Sequence, residues 1–218
     1  KTASELGAKK VVLVAPYFPY MRQDKRFHKG EAVSQSIIAG LIDKYFDAIY
    51  VMDPHLHRRN KLEYLFKIKS KRLTANSLIA DYTKKHVKNP IIIGPDEESY
   101  KWASNVAEML GVESRILRKK RYSSYHVEVK LNKEIDLKGK NTVVVDDIVS
   151  TGNTILETAK ILRRLGAKNI YCICVHGVFV NNALKKLRKA GIKIVSTNTI
   201  PSKVAKIDVS GVIADSLK

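Results

Sequence analysis

Short apolar runs rich in Val and Ile recur along this chain, and most are followed by a stretch whose apolar residues fall at helical spacing. Residues 10–15 (KVVLVA), 48–52, 90–94 (PIIIG), 142–147, 169–175 and 192–197 read as strands. The spacing predicts helices over 30–45, 74–86 with Thr74 or Asn76 as cap, Trp102 to Leu110, 154–165 and 181–190. Residues 114–117 and 126–130 read as a strand pair joined by a polar loop. Strands that are apolar throughout need cover on both faces, so the alternation predicts an α/β protein with a mostly parallel sheet and flanking helices. In such sheets ligands bind beyond the carboxyl ends of the strands. The polar residues that follow the strands are Asp24, Asp53, His55, Asp96 and the pair Asp146-Asp147.

At 218 residues, with 44% hydrophobic and 7% aromatic side chains, the chain is long enough for one large domain or two small ones. No apolar run approaches the ~18 residues that a membrane-spanning helix needs. The first ten residues, KTASELGAKK, hold no apolar signal-peptide core and read as the end of a helix. The expectation is a cytoplasmic protein that does not engage a membrane. Forty Lys and Arg against 21 Asp and Glu leave a net charge of +19. That charge points to an anionic ligand, to nucleic acid, or to a solvated Lys-rich surface. The cations are spread over the whole chain, and no helix-turn-helix, zinc-finger or RRM signature stands out, so nucleic acid is not the expected partner. Cys172 and Cys174 sit in one apolar run and read as buried core thiols, not as a disulfide or a zinc site. Residues 67–72 (KIKSKR) read as the boundary between two lobes.

The segment that carries most chemistry is VVVDDIVSTGNT, residues 143–154. A buried strand leads into Asp146 and Asp147; Ser150, Thr151, Gly152, Asn153 and Thr154 then open a helix. Backbone N–H groups at a helix N-terminus, hydroxyls, and a glycine that admits close approach suit a phosphate. Two carboxylates one step earlier can accept hydrogen bonds from vicinal hydroxyls. Diol at the acids and phosphate at the loop is the arrangement of a ribose 5-phosphate. Gly139-Lys140 does not make a Walker A site, because Asn141 stands where Ser or Thr is required and Glu134 where the first Gly is required.

This string resembles the phosphoribosyl-diphosphate (PRPP) loop of type I phosphoribosyltransferases and of PRPP synthetases. A second string, APYFPYMRQDKRFHKGEAVSQ (residues 15–35), is similar to a segment of PRPP synthetases, also called ribose-phosphate diphosphokinases, above all their archaeal forms. VMDPHLHR (51–58) resembles that family's DLH motif with Pro54 in place of Leu, and GPDEES (94–99) resembles its PDxG segment. The resemblance implies tandem phosphoribosyltransferase-like domains, the first incomplete: 1–69 as the ATP side, 70–205 as the ribose 5-phosphate side, and 206–218 as a tail packing on the first. It further implies that an earlier stretch of the first domain precedes Lys1. The implied reaction moves the diphosphoryl group of Mg-ATP to the C1 hydroxyl of ribose 5-phosphate, giving PRPP and AMP for nucleotide biosynthesis.

Carried over residue by residue, the resemblance assigns Arg22, Gln23, Asp24 and His55 to ATP. It assigns Asp146, Asp147, Ser150, Thr151, Gly152, Asn153 and Thr154 to ribose 5-phosphate, and His55 and Asp96 to Mg²⁺. LRKKRYSSYH (117–126) matches the family's flexible catalytic loop, with Lys119 and Arg121 as its cationic pair and Arg118 and Lys120 leaving a second register open. His28, His57, His86, His126 and His176 have no counterpart and default to surface or core. Sites shared between subunits imply a dimer or larger homo-oligomer. Two alternatives stay open: a phosphoribosyltransferase that consumes PRPP, and a non-catalytic regulatory relative.

Overall fold

Val12–Ala15 (β1), Ala48–Met52 (β2) and Lys69–Leu73 (β3) pair in parallel in the order β1-β2-β3. The structure is a computed structural model that describes residues 1–56, 61–121, 127–131 and 136–218, with backbone alone for 118–121 and 127–131. Two units separate within it: 1–74 together with 210–218, and 75–209.

In the first unit a short helix, Thr2–Glu5 (α1), precedes β1, and Ser34–Tyr45 (α2) connects β1 to β2. α2 starts at Ser34, later than the apolar spacing from residue 30 predicted, because residues 23–34 are tied into a loop by their own polar groups. Its buried Ala39 faces Ile49, Val51, Phe18 and Phe66, and the two Phe rings meet edge to face at 5.8 Å. Asp43 on α2 accepts hydrogen bonds from the Lys67 and Ile68 N–H groups and so fixes the entry to β3. Ser210–Ser216 (α7) belongs to this unit and reaches β3, where Lys71 Nζ donates to the Ser216 carbonyl at 3.2 Å. The lobe boundary expected within 67–72 therefore falls on a strand, and the units meet at residues 74 and 75.

The second unit holds Asn76–His86 (α3), Pro90–Gly94 (β4), Tyr100–Leu110 (α4), Ser114–Arg121 (β5), Val127–Leu131 (β6), Asn141–Val149 (β7), Asn153–Arg164 (α5), Asn169–Gly177 (β8), Ala183–Lys189 (α6), Lys193–Thr197 (β9) and Ala205–Ile207 (β10). Among the described residues its sheet runs β10-β9-β8-β7-β4-β5-β6, parallel except for the β5–β6 pair. α3 is capped by Ala75 and makes no side-chain cap bond, so neither Thr74 nor Asn76 plays the predicted part. Val143, Val144, Val145, Cys172, Ile173, Cys174 and Val175 in the two central strands are fully buried. α5 lays Ile155, Ala159 and Leu162 onto that sheet; truncating any such Leu or Ile to Ala costs about 2–5 kcal/mol.

Candidate functional site

Strand order reverses between β4 and β7: from β4 the chain moves out to β5 and β6, then returns on the other side through β7 to β8 and β9. The carboxyl ends of two strands diverging in this way leave a crevice, and that is where ligands settle in open α/β sheets. Ile93 pairs with Val144, so Asp96 and Asp146 lie at the same end of neighbouring strands. The two carboxylates are joined through Ser99, whose Oγ lies 2.7 Å from Asp146 Oδ1 and 2.9 Å from Asp96 Oδ1. The Ser99 N–H also donates to Asp96 Oδ1, and the Asp147 N–H to Asp146 Oδ1.

Asp146 and Asp147 do not follow the strand, as the sequence suggested, but lie inside it. β7 continues to Val149 because Ile148 and Val149 keep their partners His176 and Gly177 on β8. Both acids are buried, at 7% and 3% exposure. Burial pushes the Asp146 carboxyl well above the usual carboxylate range; the Asp147 charge pushes it further, the Ser99 hydrogen bond opposes, and the Asp96 charge adds to the rise. Burial also raises the Cys172 and Cys174 thiols, as expected of inert core cysteines.

From Val149 the chain turns through Ser150, Thr151 and Gly152 into α5. Gly152 caps the helix in the left-handed region at φ +75°, and a Cβ there would sit 3.0 Å from Leu187 Cδ1. No side chain caps α5 and no acid lies in its first turn, so its opening N–H groups and the positive end of its dipole are left to an anion. Ser150, Thr151 and Thr154 are half-buried and Asn153 is exposed around this turn.

Lys119 and Arg121 were expected in a polar loop, but their backbone belongs to β5. That strand outruns β4 and continues as an antiparallel ribbon with β6, pairing Lys119 with Val129 and Arg121 with Val127. The ladder satisfies the backbone of a stretch whose charged sequence looked like a turn. Their side chains lie outside the described residues, as do Ser123, Ser124, His57 and His126.

The remaining assignments fall in the first unit, beyond β1 and β2. Arg22 is exposed and Asp24 half-buried. Gln23 is engaged as a brace: its Nε2 donates to the Lys25 and Ala32 carbonyls, and its Oε1 accepts from the Ser34 N–H at the start of α2. Glu31 accepts from the Phe27 and His28 N–H groups, closing the same loop. The sequence reading gave Gln23 to the nucleotide and missed this bracing. Half-buried His55 follows Asp53, whose carboxylate is fully buried 3.4 Å from Arg72 Nη2 and whose N–H donates to the Leu73 carbonyl. His28 and His86 are exposed, and His176 is buried with Nδ1 2.9 Å from Thr199 Oγ1. Ser99 was missed outright.

Comparison with known proteins bears on the same segments. Residues 66–211 match the family model of the phosphoribosyl transferase domain, and residues 1–45 match that of the N-terminal domain of ribose phosphate pyrophosphokinase. The ribose-phosphate pyrophosphokinase of Pyrococcus abyssi is 39% identical over 206 residues, covering 94% of this chain and 71% of that protein. That of Methanothermobacter thermautotrophicus is 40% identical over 215 residues, covering 98% and 74%. The crystal structure of phosphoribosylpyrophosphate synthetase from Mycobacterium smegmatis superposes with a TM-score of 0.85 at 25% identity, over 99% of this chain and 73% of that one. With phosphoribosyltransferase-like α/β architecture and relatives of this kind along nearly its whole length, the chain belongs to the ribose-phosphate pyrophosphokinase family of enzymes.

Proposed function

We propose that the chain transfers the diphosphoryl group of ATP to the C1 hydroxyl of ribose 5-phosphate, giving PRPP and AMP. The observation that carries this reading is the buried Asp146-Asp147 pair leading, through Ser150 to Thr154, into the uncapped N-terminus of α5. In this reading Asp146 and Asp147 accept the ribose hydroxyls, and the 5-phosphate takes the N–H groups and hydroxyls from Ser150 to Thr154. Arg22, Asp24 and His55 serve the nucleotide. Gln23 acts by holding the loop that carries Arg22 and Asp24. Lys119 and Arg121 face the charge on the transferred group, which is where positive charge lowers a phosphoryl-transfer barrier most.

The donor set fits Mg²⁺. Asp96 offers hard oxygens and shares the Ser99 hydroxyl with Asp146, and Mg²⁺ takes one or two carboxylates plus water and substrate oxygens. Among the described residues no three His, Cys, Asp or Glu converge on a cage made by protein alone, in keeping with a cation completed by substrate. Asp96 is the proposed ligand in the second unit and His55 in the first. The cation, when bound, neutralises phosphate charge.

AMP formation from Mg-ATP, measured with and without ribose 5-phosphate, tests the reading: production that depends on the sugar phosphate supports it, and ATP turnover indifferent to the sugar phosphate sinks it. Asp147→Asn is expected to raise the KM for ribose 5-phosphate at least ~10-fold, the loss of about 1.4 kcal/mol of binding, with little change in melting temperature.

A further inference from the structure

Arg22 stands at the tip of a tight turn that one residue of α2 grips from both sides. The Gln23 N–H donates to the Tyr20 carbonyl at 3.1 Å, which closes a four-residue turn with Met21 and Arg22 at its centre. Gln35 holds the carbonyls on either side of Arg22. Its Nε2 donates to the Met21 carbonyl at 3.0 Å, and its backbone N–H donates to the Gln23 carbonyl at 3.2 Å. Gln35 is 2% and Met21 3% exposed, whereas Arg22 faces solvent. Gln35 and Ala39, one helical turn apart, are the buried residues of α2, so the grip comes from a rigid element. The turn is entered through Tyr20 at φ +67°, a left-handed conformation that a bulky side chain keeps only where its surroundings enforce it. As a core residue Gln35 is a poor choice. Its amide oxygen is buried with no donor among the described residues, a cost that an apolar side chain would not carry.

We propose that Gln35 is a positioning residue for the nucleotide, acting through Arg22. The proposal rests on the reading of Arg22 as an ATP contact. An arginine on a loose loop must be ordered when an anion binds, and that ordering is subtracted from the affinity. With both flanking peptide groups already fixed, the direction in which the Arg22 Cα–Cβ bond leaves the turn is set by folding instead. The exposed side chain then has only its own rotamers left to order.

The test is calorimetric titration of Mg-ATP into the full chain for wild type, Arg22→Ala, Gln35→Met and the double variant, with a thermal melt of each and a parallel titration of ribose 5-phosphate. Met resembles Gln in length and shape and lacks the N–H. Gln35→Met is expected to weaken Mg-ATP binding at least ~5-fold, with ribose 5-phosphate binding unmoved and the melting temperature within about 3 °C of wild type. In the Arg22→Ala background the same change is expected to cost less than about twofold, because the group it aims is gone. Wild-type affinity in Gln35→Met, or an equal loss with and without Arg22, overturns the proposal and leaves the nucleotide reading of Arg22 intact. Should Gln35→Met melt well below wild type, Gln35→Leu, which also has no hydrogen to donate, takes its place; collapse of both marks Gln35 as a core residue alone and overturns the proposal too. Failure of wild type to bind Mg-ATP, or unchanged binding in Arg22→Ala, removes the underlying reading, and the positioning role with it.

Discussion

Asp146 titrates higher in the folded chain than in the unfolded one, and the sign of the consequence is fixed. Between the two values the folded protein holds the extra proton, so the contribution of Asp146 to stability is fully present below the unfolded value and is lost as pH rises through the raised folded value. Asp146→Asn removes the ionising group. It is expected to raise the melting temperature at pH 8 by at least ~2 °C, on the order of 1 kcal/mol for a chain of this size. The gain should shrink as pH is lowered toward the ordinary carboxylate range, and ribose 5-phosphate binding should be lost. Thermal melts across pH check the first part; equal or lower stability of the variant at every pH would contradict it. A buried acid kept at a cost in stability is what a binding site, rather than a core, retains.

At the scale of elements, the β7–turn–α5 unit was legible because its chemistry is contiguous: acids, hydroxyls and glycine follow one another in twelve letters. Ser99 was not legible, because its partner Asp146 lies 47 residues away and the two meet only through the parallel pairing of β4 with β7. β3 was missed for a different reason. KSKRL is an edge strand with mostly exposed positions, and charge on an edge discourages unwanted pairing while hiding the strand from apolar patterning. Gly152→Ala meets both a positive φ and Leu187. It is expected to cost about 1–2 kcal/mol in stability and to weaken ribose 5-phosphate binding more than ATP binding, which paired melts and titrations would show. Lys119→Ala, read from its place on the β5 ribbon, is expected to lower kcat at least ~10²-fold, roughly 3 kcal/mol, with a much smaller change in the KM for ribose 5-phosphate. A larger loss at Lys120→Ala in the same assay would move the assignment by one residue, and near-normal turnover in both would remove it.

For the whole molecule, a mostly parallel sheet with flanking helices was foreseeable from the alternation of apolar runs and helical spacing, and a second sheet only from the resemblance. The division of the chain between them came from the resemblance alone, which put 206–218 with the first domain; the two units run over 1–74 with 210–218, and over 75–209. α7 and β10 are too short to show a period. The cations are dispersed, and Ile37, Leu41 and Tyr45 on α2 are exposed apolar residues on one helix face, the ground for a prediction of self-association. Light scattering at micromolar concentration is expected to show a particle of at least twice 24.6 kDa; a stable single-chain mass would rule out sites shared between copies.

The first unit is made of two stretches of chain, with the whole of the second unit written between them. On the ribosome this becomes an order of events. The seven-stranded sheet is fully synthesised while the three-stranded one still lacks the helix that reaches its last strand. Because domains fold as their segments emerge, the part bearing Asp146 and the α5 turn can mature first, and the part bearing Arg22 and His55 is finished only once residues 210–218 have emerged. A released chain that ends at residue 209 is thus expected to have a second unit that resists protease and a first that does not.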